Sequence, residues 1–473
     1  MRPIHLVAVA AASLTVLASA AHAQQPPAQR GDEVFQRTYF FEKEVRDRLE
    51  GAVPAKQPAL VEWGGMYIPS YTYFNDTNND EASLTVQDLR LWTQITLDDV
   101  HRIFARGRLA YTDWSDGDAG AYRQHDLEGM NLEVGYYELN VSGAAEKYWN
   151  SKWPFQMTAR GGRQYIEFGR GLVLDQVLDA GLFTVDTGQI GFTGFAGRNI
   201  ESQDNIDLSA PGFSRSRRTF YGAEVRYKGI PRHEPYAYWV LQRDWSEEKP
   251  ENPAQDYRYD SHYYAVGGRG QLAPRTKYEL ESVWEFGRGA ANGQIRDQRE
   301  RVRGFAFDAE VDHYLKHPLD PTLSVEYAYA SGDGDRLSAT NAFQGNRVGT
   351  VDTSFQGFGY VNSGLALGAR FTNIQFVRLG GRLTPYNKKE ALGRLNVGLN
   401  YYFLFKSDAG GPISDPTAIK DSSDLGQEVD VFCEWRILSD LSLSVHYGRL
   451  YPGQSFLDRQ PRDFLFTALT ISF

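Results

Sequence analysis

Cysteine is almost missing from this chain of 473 residues. With Cys433 alone, no internal disulfide and no cysteine metal cluster can form. Histidine is sparse and scattered. His313 and His317 stand four apart beside prolines with no third ligand nearby, which argues against a zinc site. No nucleophile elbow, phosphate-binding loop or Cys-x-x-Cys occurs. Basic residues are outnumbered, and the formal net charge of −10 argues against nucleic acid as a partner. Past the first residues, no apolar run is long enough to make a spanning helix. The mean hydropathy is −0.48. That value does not exclude a membrane protein, because alternating strands average a lipid face with a wet one.

What is present is alternation. In Glu428-Val-Asp-Val-Phe-Cys-Glu-Trp-Arg-Ile437 the residues Val429, Val431, Cys433, Trp435 and Ile437 share one face, and Glu428, Asp430, Glu434 and Arg436 share the other. After the turn Ser439-Asp440, Leu441, Leu443, Val445 and Tyr447 repeat the pattern, and Leu465 to Phe473 repeats it again. Strands with one apolar and one charged face need two solvents, which a water-filled barrel in lipid supplies. Only a closed sheet satisfies its backbone there. A chain that ends on an aromatic residue, Phe473, has the bacterial outer-membrane pattern.

The start of the chain agrees. Arg2, the apolar stretch Leu6 to Ala20 and Ala21-His22-Ala23 read as a signal peptide, residues 1–23, cleaved before Gln24. Residues 24–57 are polar and are expected in the periplasm. Residues 58–473 are expected to form an all-β transmembrane antiparallel barrel of about eighteen strands, sixteen being possible. Short joints at Asp98-Asp99, Asp186-Thr187-Gly188, Ala273-Pro274-Arg275 and Ser439-Asp440 roughly alternate with long polar ones, as tight periplasmic turns and long outer loops would. Expected strands include Leu132–Val141, Phe183–Asp186 and Phe355–Val361.

Parity then assigns faces. It turns Arg90, Arg106, Arg108, Glu138, Arg226, Arg378, Arg382, Arg394, Glu428, Asp430, Glu434 and Arg436 into the lumen, where they are expected to line a conducting path. Glu224, Glu279, Glu281, Glu285, Asp308, Glu310 and Glu326 go the same way. Cross-strand Arg–carboxylate pairs would hold these charges in a fixed geometry. Arg160 and Arg163 have opposite parity around Gly161-Gly162, where a bulge could reset the register. No cofactor is expected. Asp333 and Asp335 in Gly332-Asp-Gly-Asp335 could hold a loop Ca²⁺, although one short acidic turn lacks the full ligand set.

Several stretches resemble the outer-membrane alginate-export porins. They are Asp88-Leu-Arg-Leu-Trp92, Gly162-Arg-Gln164, Ser331-Gly-Asp-Gly-Asp335, Phe371-Thr-Asn-Ile-Gln-Phe376, Asp424-Leu-Gly-Gln-Glu-Val-Asp430 and Tyr447-Gly-Arg-Leu-Tyr-Pro-Gly453. The resemblance spans most of the mature chain. It implies a monomeric eighteen-stranded barrel that exports an anionic exopolysaccharide, with Arg90 at an arginine-rich constriction and periplasmic export or biosynthesis proteins as partners. The penultimate strand departs from the pattern, carrying Ser444 and His446 where those porins place arginine. Two other functions fit the composition. One is a general or small-anion porin, or a barrel sheath around a periplasmic partner. The other is an outer-membrane hydrolase at the rim, for which Glu279, Glu281 and Glu285 supply acids but no identifiable His or Ser partner.

Overall fold

The computed structural model describes residues 59–75, 80–120, 123–200, 217–245, 259–290, 299–336, 339, 346–386 and 394–473. The expected signal peptide and periplasmic segment therefore lie outside the described residues. The strands are β1 (Ala59–Asn75), β2 (Glu81–Leu97), β3 (His101–Trp114), β4 (His125–Asn140), β5 (Gln156–Glu167) and β6 (Asp175–Asp186). They continue as β7 (Ile190–Arg198), β8 (Arg218–Tyr227), β9 (His233–Asp244), β10 (Tyr259–Ala273), β11 (Thr276–Ala290) and β12 (Arg299–Tyr314). The last six are β13 (Thr322–Ala330), β14 (Ile374–Leu383), β15 (Leu395–Lys406), β16 (Asp424–Arg436), β17 (Leu441–Pro452) and β18 (Arg462–Ser472).

Each strand pairs antiparallel with its neighbours in sequence, and β1 pairs with both β2 and β18, so the eighteen-stranded sheet is closed. The tight joints at 98–100, 187–189, 274–275 and 437–440 all fall at one end, the turn end, which also carries the longer connections 141–155 and 384–394; the other long connections lie at the opposite end, the loop end. Closure is completed by the last residue. Phe473 N donates to Gly65 O at 3.0 Å, and Gly65 N donates to Phe473 O at 2.8 Å. Its ring needs glycine beneath it, since a Cβ on Gly65 would meet the ring at 2.6 Å and Leu91 at 2.8 Å. Gly65→Val should therefore open this seam by overpacking, at about 1–3 kcal/mol. Heat-modifiable gel migration should show unfolding at lower temperature; an unshifted transition would refute the closure argument.

The outer face is the alternating apolar row: Val61, Trp63, Leu91, Ile103, Leu399 and Val431 are all exposed. The inner face is less uniformly wet than the charge count implies. Phe74, Phe220, Tyr263, Phe376, Tyr402 and Phe464 point inward from the wall and are buried. They pack against Leu172, Val173 and Leu174 from the β5–β6 connection and Phe355, Phe358, Val361 and Leu365 from the β13–β14 connection. Two loops are therefore folded into the barrel, and a hydrophobic core sits at the loop end of its lumen.

Several boundaries differ from the sequence reading, β4 for one beginning at His125 and not Leu132, and three of the differences have a cause in the packing. Phe355–Val361 is not a strand: its alternation and aromatic content come from packing inside the barrel as part of residues 331–373. β6 begins at Asp175, eight residues before Phe183, because Asp175–Leu182 pairs with β5, and Asp175–Leu178 extends past the β6–β7 ladder into the part of the hairpin that turns inward. β4 stops at Asn140, whose side chain caps a helix, α1 (Val141–Trp149), rather than running on through Val141.

Candidate functional site

On one side of the lumen, β2 to β5 carry a braced row of arginines. Arg90 and Arg108 lie directly opposite each other across β2 and β3, an arrangement that repels unless a counter-charge is shared. Asp88 supplies it, with Oδ2 at 2.9 Å from Arg90 Nη2 and 2.8 Å from Arg108 Nε. Glu133 meets Arg90 at 3.1 Å and Arg106 at 2.7 Å. It reaches both because a register shift in the β3–β4 ladder beside Arg106 skips it in the pairing. Glu138 is shared by Arg102 at 3.9 Å and Arg160 at 2.6 Å. Arg90 and Arg106 are fully buried in this network, and Arg108 remains 28% exposed.

The β5–β6 register runs without interruption through Gly161-Gly162, so Arg160 and Arg163 do lie on opposite faces. Arg160 turns in to Glu138. Arg163 turns to Asp179 at 2.9 Å and donates to Leu132 O at 2.8 Å, where the β4–β5 ladder ends. Gly162 has φ +136°, and a Cβ there would lie 2.3 Å from Gly135 O, so the chain bends at a position only glycine tolerates.

The opposite wall is acidic and is met by a loop arginine. Arg170, at the tip of the β5–β6 connection, reaches Glu279 at 3.1 Å, Asp308 at 2.9 Å, Glu310 at 3.1 Å and Glu326 at 3.8 Å. Arg378 on β14 joins Glu310 and Glu326, both at 2.6 Å. Arg226 pairs with Glu224 and, at 3.5 Å, with Glu234.

Other wall carboxylates grip loop backbone. Glu224 accepts from Gly169 N at 3.0 Å and Glu281 from Arg170 N at 2.7 Å. Glu285 accepts from Gln356 N at 2.8 Å and from Ser261 Oγ at 2.7 Å. Glu428 accepts from Ala366 N and Leu367 N at 2.5 and 2.9 Å, and Asp430 from Leu365 N at 3.3 Å. Gly364 has φ +103°, and a Cβ there would meet Glu428 Oε2 at 2.6 Å. The two loops also bond to each other: Phe358 N donates to Val173 O at 2.8 Å, and Tyr360 N to Gly171 O at 3.1 Å. Together they make a crossbar from β5–β6 to β11–β13 and β16. Glu428 and Asp430, read from sequence as lumen lining, are buried beneath it as anchors. The three acids considered for a rim hydrolase hold loops too, Glu279 and Glu281 at the β5–β6 tip and Glu285 at residue 356.

At the turn end the wall is open and basic. Arg382 on β14, Arg394 in the turn before β15 and Arg436 at the end of β16 share lumen parity on neighbouring strands, and all three are exposed. None forms an ion pair among the described residues.

A sequence-family model for alginate export matches residues 72–466. The chain belongs to the alginate export family. No curated protein matches this sequence. Crystal structures of outer-membrane channels share the fold. Pseudomonas aeruginosa OccK8 (OprE) is 10% identical, with a TM-score of 0.55 over 87% of this chain and 98% of that one. Pseudomonas aeruginosa OccD3 (OpdP) is 12% identical, with a TM-score of 0.53 over 91% and 97%. Acinetobacter baumannii OccAB1 is 11% identical, with a TM-score of 0.52 over 87% and 97%. The protein is an outer-membrane barrel, its turn end periplasmic and its loop end outside.

Within this alginate export barrel, the penultimate strand, β17, sets His446 3.8 Å from Glu434 of the neighbouring β16, so an imidazole and a carboxylate occupy that part of the wall. Asp333 and Asp335 lie at the root of the β13–β14 loop. Asp333 Oδ1 accepts from Asp335 N and its Oδ2 from Thr353 N, both at 2.8 Å, so these oxygens shape the loop. Sequence reasoning missed Arg170, Glu133 and the inserted loops. The available signal was composition: Phe168-Gly-Arg-Gly-Leu-Val-Leu174 and Phe355 to Phe371 are too apolar and too rich in glycine for loops that face water.

Proposed function

We propose that this channel carries an anionic polysaccharide out of the periplasm. The observation that carries the proposal is the periplasmic mouth, where Arg382, Arg394 and Arg436 face the lumen with no ion pair among the described residues. An acidic polymer entering there finds uncompensated guanidinium groups that bind carboxylate bidentately. Farther in, the cations it meets, such as the part-exposed Arg108 and Arg160, already share carboxylates. They can exchange partners with the polymer without holding it, which lets a multi-site path conduct. The crossbar narrows the passage and favours a single extended chain. Membership of the alginate export family supports the same direction of transport.

The crossbar also favours a second reading, a small-anion diffusion porin in which a fixed constriction excludes polymers. Single-channel recording in a planar bilayer separates the two. Anion selectivity with block by periplasmic-side polymannuronate, both weakened in Arg382→Ala/Arg394→Ala/Arg436→Ala, is expected of the exporter. Anion selectivity with conductance indifferent to every acidic polymer would overturn export and leave the diffusion porin. An absence of conductance together with turnover of an outer-membrane substrate would reinstate an enzyme.

A further inference from the structure

The β4–β5 connection is unlike the other periplasmic joints. Residues 98–100, 187–189 and 274–275 suffice for three of those, whereas this one spans residues 141–155 and carries α1. The helix is well specified. Asn140 caps it by accepting from Gly143 N at 2.9 Å, and Asn150 ends it in the left-handed region with φ +50°. One side of α1 is bound to the barrel. Ala144 and Ala145 are buried, and Lys147 Nζ donates to Asp98 O at 2.8 Å and to its carboxylate at 3.0 Å. Tyr148 donates to the same carboxylate at 3.0 Å, and these two donors hold the Asp98 carboxyl below its ordinary range.

The ring of Tyr148 shows on which side of the wall α1 lies. It stacks on His101 at 6.1 Å, and His101 stacks on Tyr137 at 6.0 Å. His101, Ile103 and Tyr137 have outward parity, and Ile103 and Tyr137 are exposed on the lipid face. The helix is therefore docked against the outer surface of the barrel at its periplasmic rim, continuous with the lipid-facing belt. Next to Tyr148 stands Trp149, edge-on to its ring at 6.1 Å and 72% exposed. An indole so placed is disfavoured in water and favoured in the headgroup layer, where its polar edge stays wet. Lys152, 82% exposed just past the helix and only loosely paired with Glu146 at 3.9 Å, can reach lipid phosphate.

We propose that α1 is an interfacial anchor whose partner is the phospholipid of the periplasmic leaflet. Its position gives the anchor a purpose. The β4–β5 ladder beside it has only the pairs from Gly135↔Arg163 to Asn140↔Thr158, because the rest of the β5–β6 hairpin has turned into the lumen. A helix held both by Asp98 and by lipid braces this short seam.

The test uses the full chain carrying Cys433→Ser, folded into phosphatidylethanolamine–phosphatidylglycerol vesicles. An environment-sensitive fluorophore is attached at Trp149→Cys or, separately, at Lys152→Cys. The label at 149 should be quenched by spin-labelled lipid at a depth of about 5–10 Å and protected from aqueous iodide, with the label at 152 less protected. Equal iodide access at both positions without lipid-borne quenching would overturn the proposal. So would protection at 149 that persists without lipid quenching, which would mean a protein partner or a second copy covers the helix. Heat-modifiable migration reports folding of each variant. If Trp149→Cys fails to fold, the loss of brominated-lipid quenching in Trp149→Phe relative to the unsubstituted tryptophan at 149 gives the same readout, and no loss overturns it.

Discussion

Arg170→Ala should raise single-channel conductance severalfold and move selectivity toward cations. The guanidinium of Arg170 contacts Glu279, Asp308, Glu310 and Glu326, and the loop that bears it is half of the crossbar. Removing it leaves Arg378 as the counter-charge of Glu310 and Glu326, while Asp308 and Glu279 lose the ion pair that Arg170 makes with each. Breaking a buried pair from one side costs about 3–5 kcal/mol, because the remaining charge stays out of water. The acidic wall escapes that cost by hydrating, which displaces the β5–β6 tip and widens the passage. The hydrogen bonds that the backbone N–H groups of Gly169 and Arg170 donate to Glu224 and Glu281 remain, so the barrel itself should fold. Lysine at this position keeps one charge but cannot reach four carboxylates, and an intermediate conductance is expected. Conductance and reversal potential in a salt gradient measure both effects; values equal to those of the unsubstituted protein would show that Arg170 does not set the constriction.

Release of the second loop should be visible to a protease. In Glu428→Ala/Asp430→Ala the amides of Leu365, Ala366 and Leu367 lose their acceptors. Hydrogen bonds to charged groups contribute about 1.5–3 kcal/mol each, so the turn around Gly364 loses enough to detach from β16. Arg370, six residues beyond Gly364, then becomes a trypsin site reachable from outside. Cleavage after Arg370 in the variant, with the barrel still heat-modifiable, is the expected result, accompanied by larger and noisier conductance. Resistance equal to that of the parent would mean that the packing of Phe355, Phe358 and Phe371 holds the loop without the carboxylates.

Both outcomes bear on what the lumen charges do. Counted along the sequence, they suggest a hydrated conduit. In the structure, Glu224, Glu281, Glu285, Glu428 and Asp430 serve as sockets for backbone amides, and Arg90 and Arg106 are buried among acids of their own wall. Among the described lumen charges, Arg108, Arg160, Arg226 and Glu434 stay part-exposed and the three arginines of the periplasmic mouth are exposed, and these are the groups we propose meet a solute.

The barrel itself was legible from the chain, because the period of two is a local property that each strand displays alone. Val431 out and Asp430 in follow from adjacency. That Phe473 closes the barrel against Gly65 is visible only in the folded chain. Parity alone left Arg160 and Arg163 open, because a bulge at Gly161-Gly162 would have reset the register, and only the uninterrupted β5–β6 ladder puts them on opposite faces. What the tertiary structure decided was partnership. Arg170 meets Asp308 across 138 positions of sequence, and Leu367 meets Glu428 across 61. Nothing local distinguishes a carboxylate that faces water from one that holds a loop, because the difference lies in which distant segment fills the lumen. Phe355–Val361 shows the same limit from the other side. Its apolar pattern correctly marks burial, but burial inside a barrel and burial against lipid demand the same side chains, and only the folded chain separates them.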